Sequence, residues 1–250
     1  MFLAGRSNMT LVQSAVQNKL LRLLSPADFQ LLAADLEYVT FSLRDPIESP
    51  GEPVDAALFI EDGIASIVAK SPTGGDIEIA LVGLDGMTGT SLVLGSPSAP
   101  LSIYIQLPGS GHRIAAGKLQ AALEQSRSLK RVFLLYVQTM FVQTATTALV
   151  NAQAEARTRL ARWLLMVHDR TSGHDLSLTH EFMAVMLGMR RPWVTETLHS
   201  LEAEGHIRST RGKVAIVDRA GLMAEANGFY GEAEREYQKL LGERLSRQQR

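Results

Sequence analysis

The sequence predicts an α+β protein: an N-terminal antiparallel β-roll, then a long helix, then a C-terminal winged helix-turn-helix. Three observations predict this order. Short β-branched runs alternate with turn dipeptides before residue 116, residues 118–168 have a helical period without a breaker, and two short amphipathic helical segments meet at a glycine near residue 188. With 250 residues, 46% of them hydrophobic, the chain can bury a substantial core in one or two domains.

Charge and cysteine content restrict the classes of partner. Lysine and arginine number 25 against 26 acids, so net charge supplies no attraction for an anionic partner. The basic excess is local, because residues 151–250 hold 15 basic and 13 acidic side chains. The absence of cysteine excludes disulfides and thiolate-held clusters. No signal peptide and no stretch near ~18 uninterrupted apolar residues is found, so we expect a soluble cytoplasmic protein with no membrane partner.

The first half of the chain carries the strand signals. Residues 18–36 form two leucine-rich helical runs broken at Ser25-Pro26, a capping residue followed by a first-turn proline. Six short runs follow over residues 37–115, including SLVL at 91–94. The dipeptides between them predict turns, among them Asp62-Gly63, Asp85-Gly86 and Pro108-Gly109. This regular spacing is typical of a compact antiparallel roll or barrel.

The breaker-free stretch predicts one helix, or two nearly continuous helices. Its apolar residues at helical spacing are Leu129, Val132, Phe133, Tyr136, Met140, Val142, Leu149 and Val150. So long a stripe must be buried on the roll and on something further. A second copy of the helix is the economical partner, since two-fold dimers are the commonest symmetric assembly. An ordinary intramolecular core helix is the alternative.

The segment 178–207 has the pattern of a helix-turn-helix. Thr179 can cap a short helix that Gly188 ends, and Pro192 opens a second helix without losing a hydrogen bond. Inward-facing positions in both helices are apolar: Met183, Met186, Leu187, Val194, Leu198 and Leu201. The first turn of the second helix is left exposed.

Paired arginines beside a helix N-terminus predict an external polyanion. Arg190 and Arg191 oppose the helix dipole at a cost of about 0.3–1 kcal/mol, which DNA phosphates would offset. A helix that enters the major groove by its N-terminal end brings Arg191 to the O6 and N7 atoms of guanine, a contact that discriminates by about 1–3 kcal/mol. Glu196, one turn later, can accept from cytosine N4. Further predicted contacts are Thr195 and His199 on the same exposed side, and Thr179, His180 and Arg190 at phosphates.

A β-hairpin wing follows the second helix. Strands are predicted at 206–209 and 213–217, joined by an Arg211-Gly212 turn. Arg211 and Lys213 at its tip would contact phosphates, and a solvated turn is the alternative interpretation. Beyond residue 222 we expect a charged helix and a frayed tail without assigned chemistry.

The order of these parts resembles the Crp/Fnr family of bacterial transcription regulators over roughly residues 18–225. The similarity is carried by "SPGEPVDAALFIEDGIASIV" (49–68) and by "LTHEFMAVMLGMRRPWVTETLHSLEAEGHI" (178–207). It implies a cyclic-nucleotide-binding-like roll, a homodimer seam at residues 129–150, recognition helices one duplex turn (~34 Å) apart, and a pseudo-palindromic operator in double-stranded DNA. By position Arg191, Pro192 and Glu196 would read bases, with His199 flanking. Pro192 stands where well-known members have a polar residue.

The resemblance also implies domain boundaries and a further partner. The expected units are an N-terminal sensor-like domain at 1–117, a dimerisation helix at 118–152, a DNA-binding domain at 153–225 and a charged tail at 226–250. RNA polymerase is a candidate partner.

The sensor segment departs from the family pattern. Members that bind cyclic nucleotides carry Gly-Glu-Leu and then Arg-Ser, whereas this chain has GTSL at 89–92 and SAPL at 98–101. Without the carboxylate and the cation a buried phosphate would be poorly compensated, so we expect no response to cyclic AMP. No cofactor or metal is predicted, and effector-binding residues stay unknown. The missing cysteines exclude iron–sulfur clusters, and His112, placed in a glycine-rich loop, is the only histidine before residue 168 that a heme could use.

Other functional classes fit less well. His168, His174 and His180 are six apart and do not share one helix face, so no catalytic or metal-ligating set is predicted. Gly74-Gly75 is not followed by a phosphate-binding helix. The serious competitor is a protein-interaction module built on the same roll and winged-helix frame, without DNA binding.

Overall fold

The computed structural model describes residues 11–72, 75–171, 175–176, 178–210 and 212–242. The first helices are α1 (Lys19–Arg22) and α2 (Pro26–Ala33), preceded by a 3₁₀ turn at Gln13–Ala15. As expected, Ser25 caps α2, and its Oγ accepts a hydrogen bond from the amide of Asp28 at 3.1 Å.

Five antiparallel strands form the roll. They are β1 (Glu37–Phe41), β2 (Pro46–Glu48), β3 (Ala56–Ala69), β4 (Ile77–Val82) and β5 (Ser102–Ala115). The sheet order is β1-β5-β3-β4, and β2 also pairs with β5. Phe29, Phe59 and Phe133 belong to one hydrophobic core that joins the first helices, the roll and the long helix. The predicted α+β architecture is confirmed.

Two predicted turns are wrong. Asp62-Gly63 and Pro108-Gly109 lie inside β3 and β5, where the two strands pair with several register shifts. A Cβ atom on Gly63 would collide with the carbonyl oxygen of Leu107, so the glycine permits a close strand approach instead of a chain reversal. These dipeptides have the residue types of a turn, but they lie opposite each other at a bulge between two strands, and the local sequence is the same in both cases.

Two further expectations fail in the roll. The run SLVL does not form a strand, since Thr90–Val93 is a short helix, α3, whose apolar residues are buried. In a run of only four apolar residues, periodicity does not distinguish a helix from a strand. His112 is not in a loop but in the C-terminal part of β5, opposite Tyr38 of β1 and Phe59 of β3, and is 5% exposed.

The predicted helical stretch is divided into three helices. These are α4 (Ala116–Gln125), α5 (Arg127–Gln153) and α6 (Ala156–Asp169). Ser126 separates the first two because its Oγ accepts from the amide of Leu129 and starts a new helix. In the described part of the chain, α5 is the one helix long and apolar enough to cross a membrane by length and composition, a property that core helices of soluble proteins share.

The two sides of α5 differ. Most of the predicted stripe, including Leu129, Phe133 and Tyr136, is buried by the chain's own roll. The other side exposes large apolar side chains: Leu134 is 40% exposed, Phe141 69% and Leu149 46%. The helix therefore has a second apolar side that the single chain leaves in solvent.

A second core organises the C-terminal unit. Its elements are β6 (Asp175–Leu176), α7 (His180–Met186), α8 (Arg191–Ala203), β7 (Ile207–Thr210), β8 (Lys213–Ile216) and α9 (Arg219–Glu225). The strands pair in the order β6-β8-β7, and sequence reasoning missed the two-residue β6. Leu160 and Leu164 of α6 pack with apolar residues of α7 and α8.

The chain then returns to the roll. Helix α10 (Glu232–Tyr237) continues into a π-helical turn, Gln238–Gly242, and Leu241 is completely buried in the roll core. Up to residue 242 the predicted frayed tail is therefore a packed segment, and residues 243–250 lie outside the described residues. A few apolar positions among many charges gave too weak a pattern to predict this docking.

Candidate nucleic-acid interface

The frame of α7 and α8 follows from capping and apolar packing. Thr179 Oγ1 accepts from the amide of Phe182 at 3.2 Å and fixes the start of α7. Gly188 has a φ of +57°, a left-handed conformation that ends the helix. Met183, Val194 and Leu198 are wholly buried between the helices. The first turn of α8 is thereby turned toward solvent.

Six predicted residues meet on one exposed surface. This surface, which we call the concave face, encloses about 580 Å³. It is lined by His180, Arg191, Pro192, Thr195, Glu196 and His199. A shallow depression at the front of a helix can receive the edge of a polyanionic duplex.

Arg191 is held only weakly by the protein. Its side chain is 67% exposed, and its Nε lies 3.8 Å from Oε2 of Glu181, which is itself exposed. Exposed pairs of this kind contribute about 0–1 kcal/mol. Arg190 occupies the cap position of α8 without a side-chain cap hydrogen bond. Both guanidinium groups can therefore be transferred to an external anion at small cost.

His180 connects the two helices at the edge of the concave face. Its Nδ1 lies 2.9 Å from Oγ1 of Thr195, and that hydroxyl donates to the carbonyl oxygen of Arg191 at 3.2 Å. Partial burial, and then the charges of Arg191 and His199, hold the pKa of His180 below its usual value. Because Nδ1 is engaged with Thr195, Nε2 is the ring nitrogen left for an outside partner.

Trp193 is the residue that the sequence interpretation left without a role. Its side chain is 60% exposed on α8, and it lines a neighbouring depression with Arg157, Glu196 and Ser200. The signal was present in the sequence: with Val194 and Leu198 facing inward, residue 193 must point outward. An exposed indole next to the concave face offers an apolar contact and a ring N–H donor.

The wing has the expected hairpin form. Thr210 pairs with Lys213 across the tip, and Gly212 has a φ of +75°, which suits a tight turn. Lys213 is exposed at the start of β8. Arg211, the other predicted phosphate contact, lies outside the described residues.

A charged network supports α8 from behind. Arg157 Nη2 binds Glu204 Oε2 at 2.5 Å, its Nη1 donates to Ser200 Oγ at 2.6 Å, and its Nε pairs with Glu225. Carboxylate oxygens of Glu204 and Glu225 and a ring nitrogen of His206, atom types that can bind a metal ion, also lie within 4.8 Å of one another. Because Arg157 already compensates both carboxylates, the cluster acts as an ion-pair brace between α6, α8 and α9.

An acidic side chain of the roll lies at the start of α3. Oε1 of the buried Glu48 accepts a hydrogen bond from the amide of Gly89 at 2.7 Å, directly ahead of α3. Burial raises the pKa of Glu48, and this hydrogen bond opposes the rise. Leu92, Ala99 and Ile103 are buried in the core beside it. The segment ahead of α3 is therefore filled by the Glu48 side chain and apolar side chains of the chain itself.

His112 makes contacts of its own within the roll. Its Nε2 lies 3.4 Å from Oε1 of Glu61, and its ring meets the edge of Tyr38 with centroids 5.7 Å apart. Both contacts use the ring as a structural group between strands. His174 lies outside the described residues, and His168 pairs with Arg219 of α9 at 3.2 Å.

Comparisons with known proteins find similar sequences. Residues 158–225 match the model of the Crp-like helix-turn-helix domain. The transcriptional regulator SdrP of Thermus thermophilus is 28% identical over 207 residues, which are 77% of this chain and 96% of SdrP.

Solved structures agree on the fold. FixK2 from Bradyrhizobium japonicum superposes with a TM-score of 0.66 at 17% identity, over 76% of this chain and 96% of FixK2. A transcriptional regulator of the Crp/Fnr family from Eubacterium rectale gives 0.63 at 20% identity, over 84% of this chain and 98% of its own.

Proposed function

We propose that the chain is a DNA-binding transcription regulator of the Crp/Fnr family, which acts as a homodimer on a pseudo-palindromic operator without responding to cyclic AMP. The observation that carries the proposal is the concave face, where six predicted contact residues converge on the exposed first turn of α8. Sequence-specific regulators of this type insert that turn into the major groove.

We assign the contacts by chemistry and position. Arg191 reads guanine through a bidentate hydrogen bond, Glu196 accepts from cytosine, and Pro192 makes an apolar contact in place of a polar one. The remaining predicted contacts, to phosphates or at the flank of the reading set, are Thr179, His180, Arg190, Thr195, His199, Arg211 and Lys213. Trp193 joins them as an outward-facing apolar contact.

The dimer follows from the exposed side of α5. Leu134, Phe141 and the small residue Ala148 follow one another at intervals of seven residues, and the exposed Leu149 lies next to Ala148. A seven-residue apolar repeat is the pattern of a two-helix seam. Large apolar side chains exposed along one helix side otherwise expose the chain to aggregation. A second copy covers them and sets two α8 helices on one side of a duplex.

The effector proposal rests on Glu48. Its carboxylate accepts a hydrogen bond from the amide of Gly89, and the segments 89–92 and 98–101 supply no cation, so a cyclic phosphate bound in this region would lie near an acid without compensation. The roll of this protein therefore either senses a different ligand or senses none, in which case abundance of the regulator sets its activity.

A selection experiment tests the proposed function. Full-length protein is incubated with a random duplex library, and bound duplexes are sequenced and then titrated at several salt concentrations. We expect two inverted half-sites one helical turn apart and an affinity that falls steeply with salt, because several phosphate contacts release counterions. Recovery of no shared sequence, with weak binding insensitive to salt, would reject DNA reading.

The second candidate function is a protein-interaction module on the same frame. The exposed Trp193 favours it, since an exposed tryptophan is also a common anchor of protein interfaces. In that case the duplex selection recovers no shared sequence, whereas a partner protein protects the fluorescence of Trp193 from soluble quenchers. We further propose a cytoplasmic location, contact with RNA polymerase from the operator, and no catalytic activity, in keeping with relatives that are transcription regulators.

A further inference from the structure

The C-terminal segment 229–242, here called the strap, closes the chain into a loop. It leaves the winged-helix unit after α9 and ends within the core of the roll, where Leu241 is wholly buried. The hydroxyl of Tyr237 donates to the carbonyl oxygen of Asp85 at 2.9 Å. The chain therefore connects the winged-helix unit to the roll twice, through the α5–α6 junction and through the strap, in addition to the direct packing of Ile64, Leu81 and Leu107 of the roll against the winged-helix core.

The near end of the strap is fastened to α6. Arg162 Nε donates to the carbonyl oxygen of Phe229 at 3.1 Å, and the hydroxyl of Tyr230 donates to Asp169. Arg219 of α9 binds both the Tyr230 hydroxyl at 2.7 Å and Asp169 at 2.6 Å. These polar contacts fix where the strap begins.

A buried arginine joins the three parts of the molecule. Arg170, at the end of α6, is 5% exposed, and its guanidinium lies 3.1 Å from Asp85 of the roll and 3.5 Å from Glu234 of the strap. A Cβ atom on Gly83 would lie 2.6 Å from Cβ of Arg170, so the roll turn at 83–86 and α6 are in close contact. A buried cation between two acids is stable only while both acids stay in place.

The same turn touches α5. The hydroxyl of Tyr136 lies 3.1 Å from both the amide and the carbonyl oxygen of Met87, beside Gly86. Because the turn contacts α5, α6 and the strap, a displacement of the turn would displace all three.

We propose that the strap, with Arg170 and Asp85, holds the winged-helix unit in the orientation needed for both copies of a dimer to engage one duplex. None of its residues lines the concave face, so it acts on orientation and not on contact. This rests on the proposed dimeric DNA binding. When the two winged-helix units of a dimer are held at a fixed spacing, binding of one unit gives the other a high effective concentration at the second half-site. Loosely held units lose that advantage, although each can still bind one half-site.

The test uses matched variants of the full-length protein. Glu234→Gln removes one of the two acids that face Arg170, and Glu232→Gln is its control, since among the described residues Glu232 pairs with Arg235 at the surface. Leu241→Ala loosens the buried end, and Tyr237→Phe is a milder change there. Affinity is measured by fluorescence anisotropy on a duplex with two selected half-sites and on a duplex with one, and hydrogen exchange reports whether 232–242 has opened.

We expect Glu234→Gln and Leu241→Ala to weaken binding about tenfold on the two-site duplex and less than twofold on the one-site duplex. Glu232→Gln should leave both unchanged. Unaltered two-site binding with an opened strap would overturn the proposal, as would equal losses on both duplexes. Should Leu241→Ala fail to fold, Tyr237→Phe with Glu234→Gln decides the matter. Failure of the wild-type protein to prefer any duplex would instead reject the proposed function.

Discussion

The carboxylate of Glu48 accepts a hydrogen bond from the amide of Gly89 at 2.7 Å, so a buried acidic group of the roll lies directly ahead of α3. We expect isothermal titration of the protein with cyclic AMP and cyclic GMP to give no binding heat at micromolar concentrations. Glu48→Gln removes the competing charge but adds no cation, and it should not restore binding. Micromolar affinity of the wild-type protein for either nucleotide would contradict this account of the roll.

A second acid, Glu78, makes stability depend on pH. It lies on β4, fully buried, and its carboxyl oxygens accept from Trp163 Nε1 of α6 at 2.6 Å and from Ser66 Oγ at 2.5 Å. Burial raises the pKa of Glu78 to about 8, although the two hydrogen bonds oppose the rise. The folded state therefore holds a proton that the unfolded state has lost, and stability falls as pH rises from about 4.5 to about 8.

Glu78→Gln should flatten that dependence. At pH 8 we expect the variant to be more stable than wild type by roughly 1–3 kcal/mol. At pH 4.5 the difference should be much smaller, because the wild-type carboxyl is then protonated in the folded state and half protonated in the unfolded state. Urea unfolding at the two pH values measures it. Equal pH slopes for the two proteins would show that Glu78 is ionised in the fold.

The exposed side of α5 predicts a mutation that separates the copies. Phe141→Glu places a charge in the centre of the proposed seam, and burial of that charge should disfavour association. Light scattering should give twice the chain mass of 27.3 kDa for wild type and a single chain mass for the variant. Glu124→Gln on the exposed surface of α4 is the control. A wild-type protein that stays monomeric at all concentrations would contradict the seam.

The wing predicts a sequence-independent loss. Lys213→Gln should weaken binding to all duplexes alike and reduce the slope of log affinity against log salt by about 1, the effect of one lost phosphate contact. Anisotropy titrations on the selected and on a scrambled duplex measure both effects. A loss confined to the selected duplex would mean that Lys213 reads bases.

The parts that could be predicted from sequence are those whose structure is decided by neighbouring residues alone, such as helix caps and the apolar spacing of a helix. Ser25 and Thr179 cap helices as expected, and the inward positions of α7 and α8 are buried. The predicted contact residues of α7 and α8 come together because helical spacing places them there.

The failures share a different cause, which is tertiary pairing. Asp62-Gly63 has the composition of a turn, yet the opposing β5 strand draws it into a bulged ladder. Which side of α5 meets the roll depends on how Tyr136 reaches Met87, a contact 49 residues apart in sequence. The docking of Leu241 likewise depends on a surface formed by distant elements, which no local pattern records.

The most direct test of the central claim combines one side chain with one base atom. In the selected operator, the guanine assigned to Arg191 in each half-site is replaced by 7-deazaguanine, which lacks the N7 acceptor. We predict that wild type loses about 1–3 kcal/mol of binding free energy per half-site, whereas Arg191→Ala, already weakened, loses nothing further. Equal losses in both proteins, or none in wild type, would contradict the placement of the α8 first turn in the major groove.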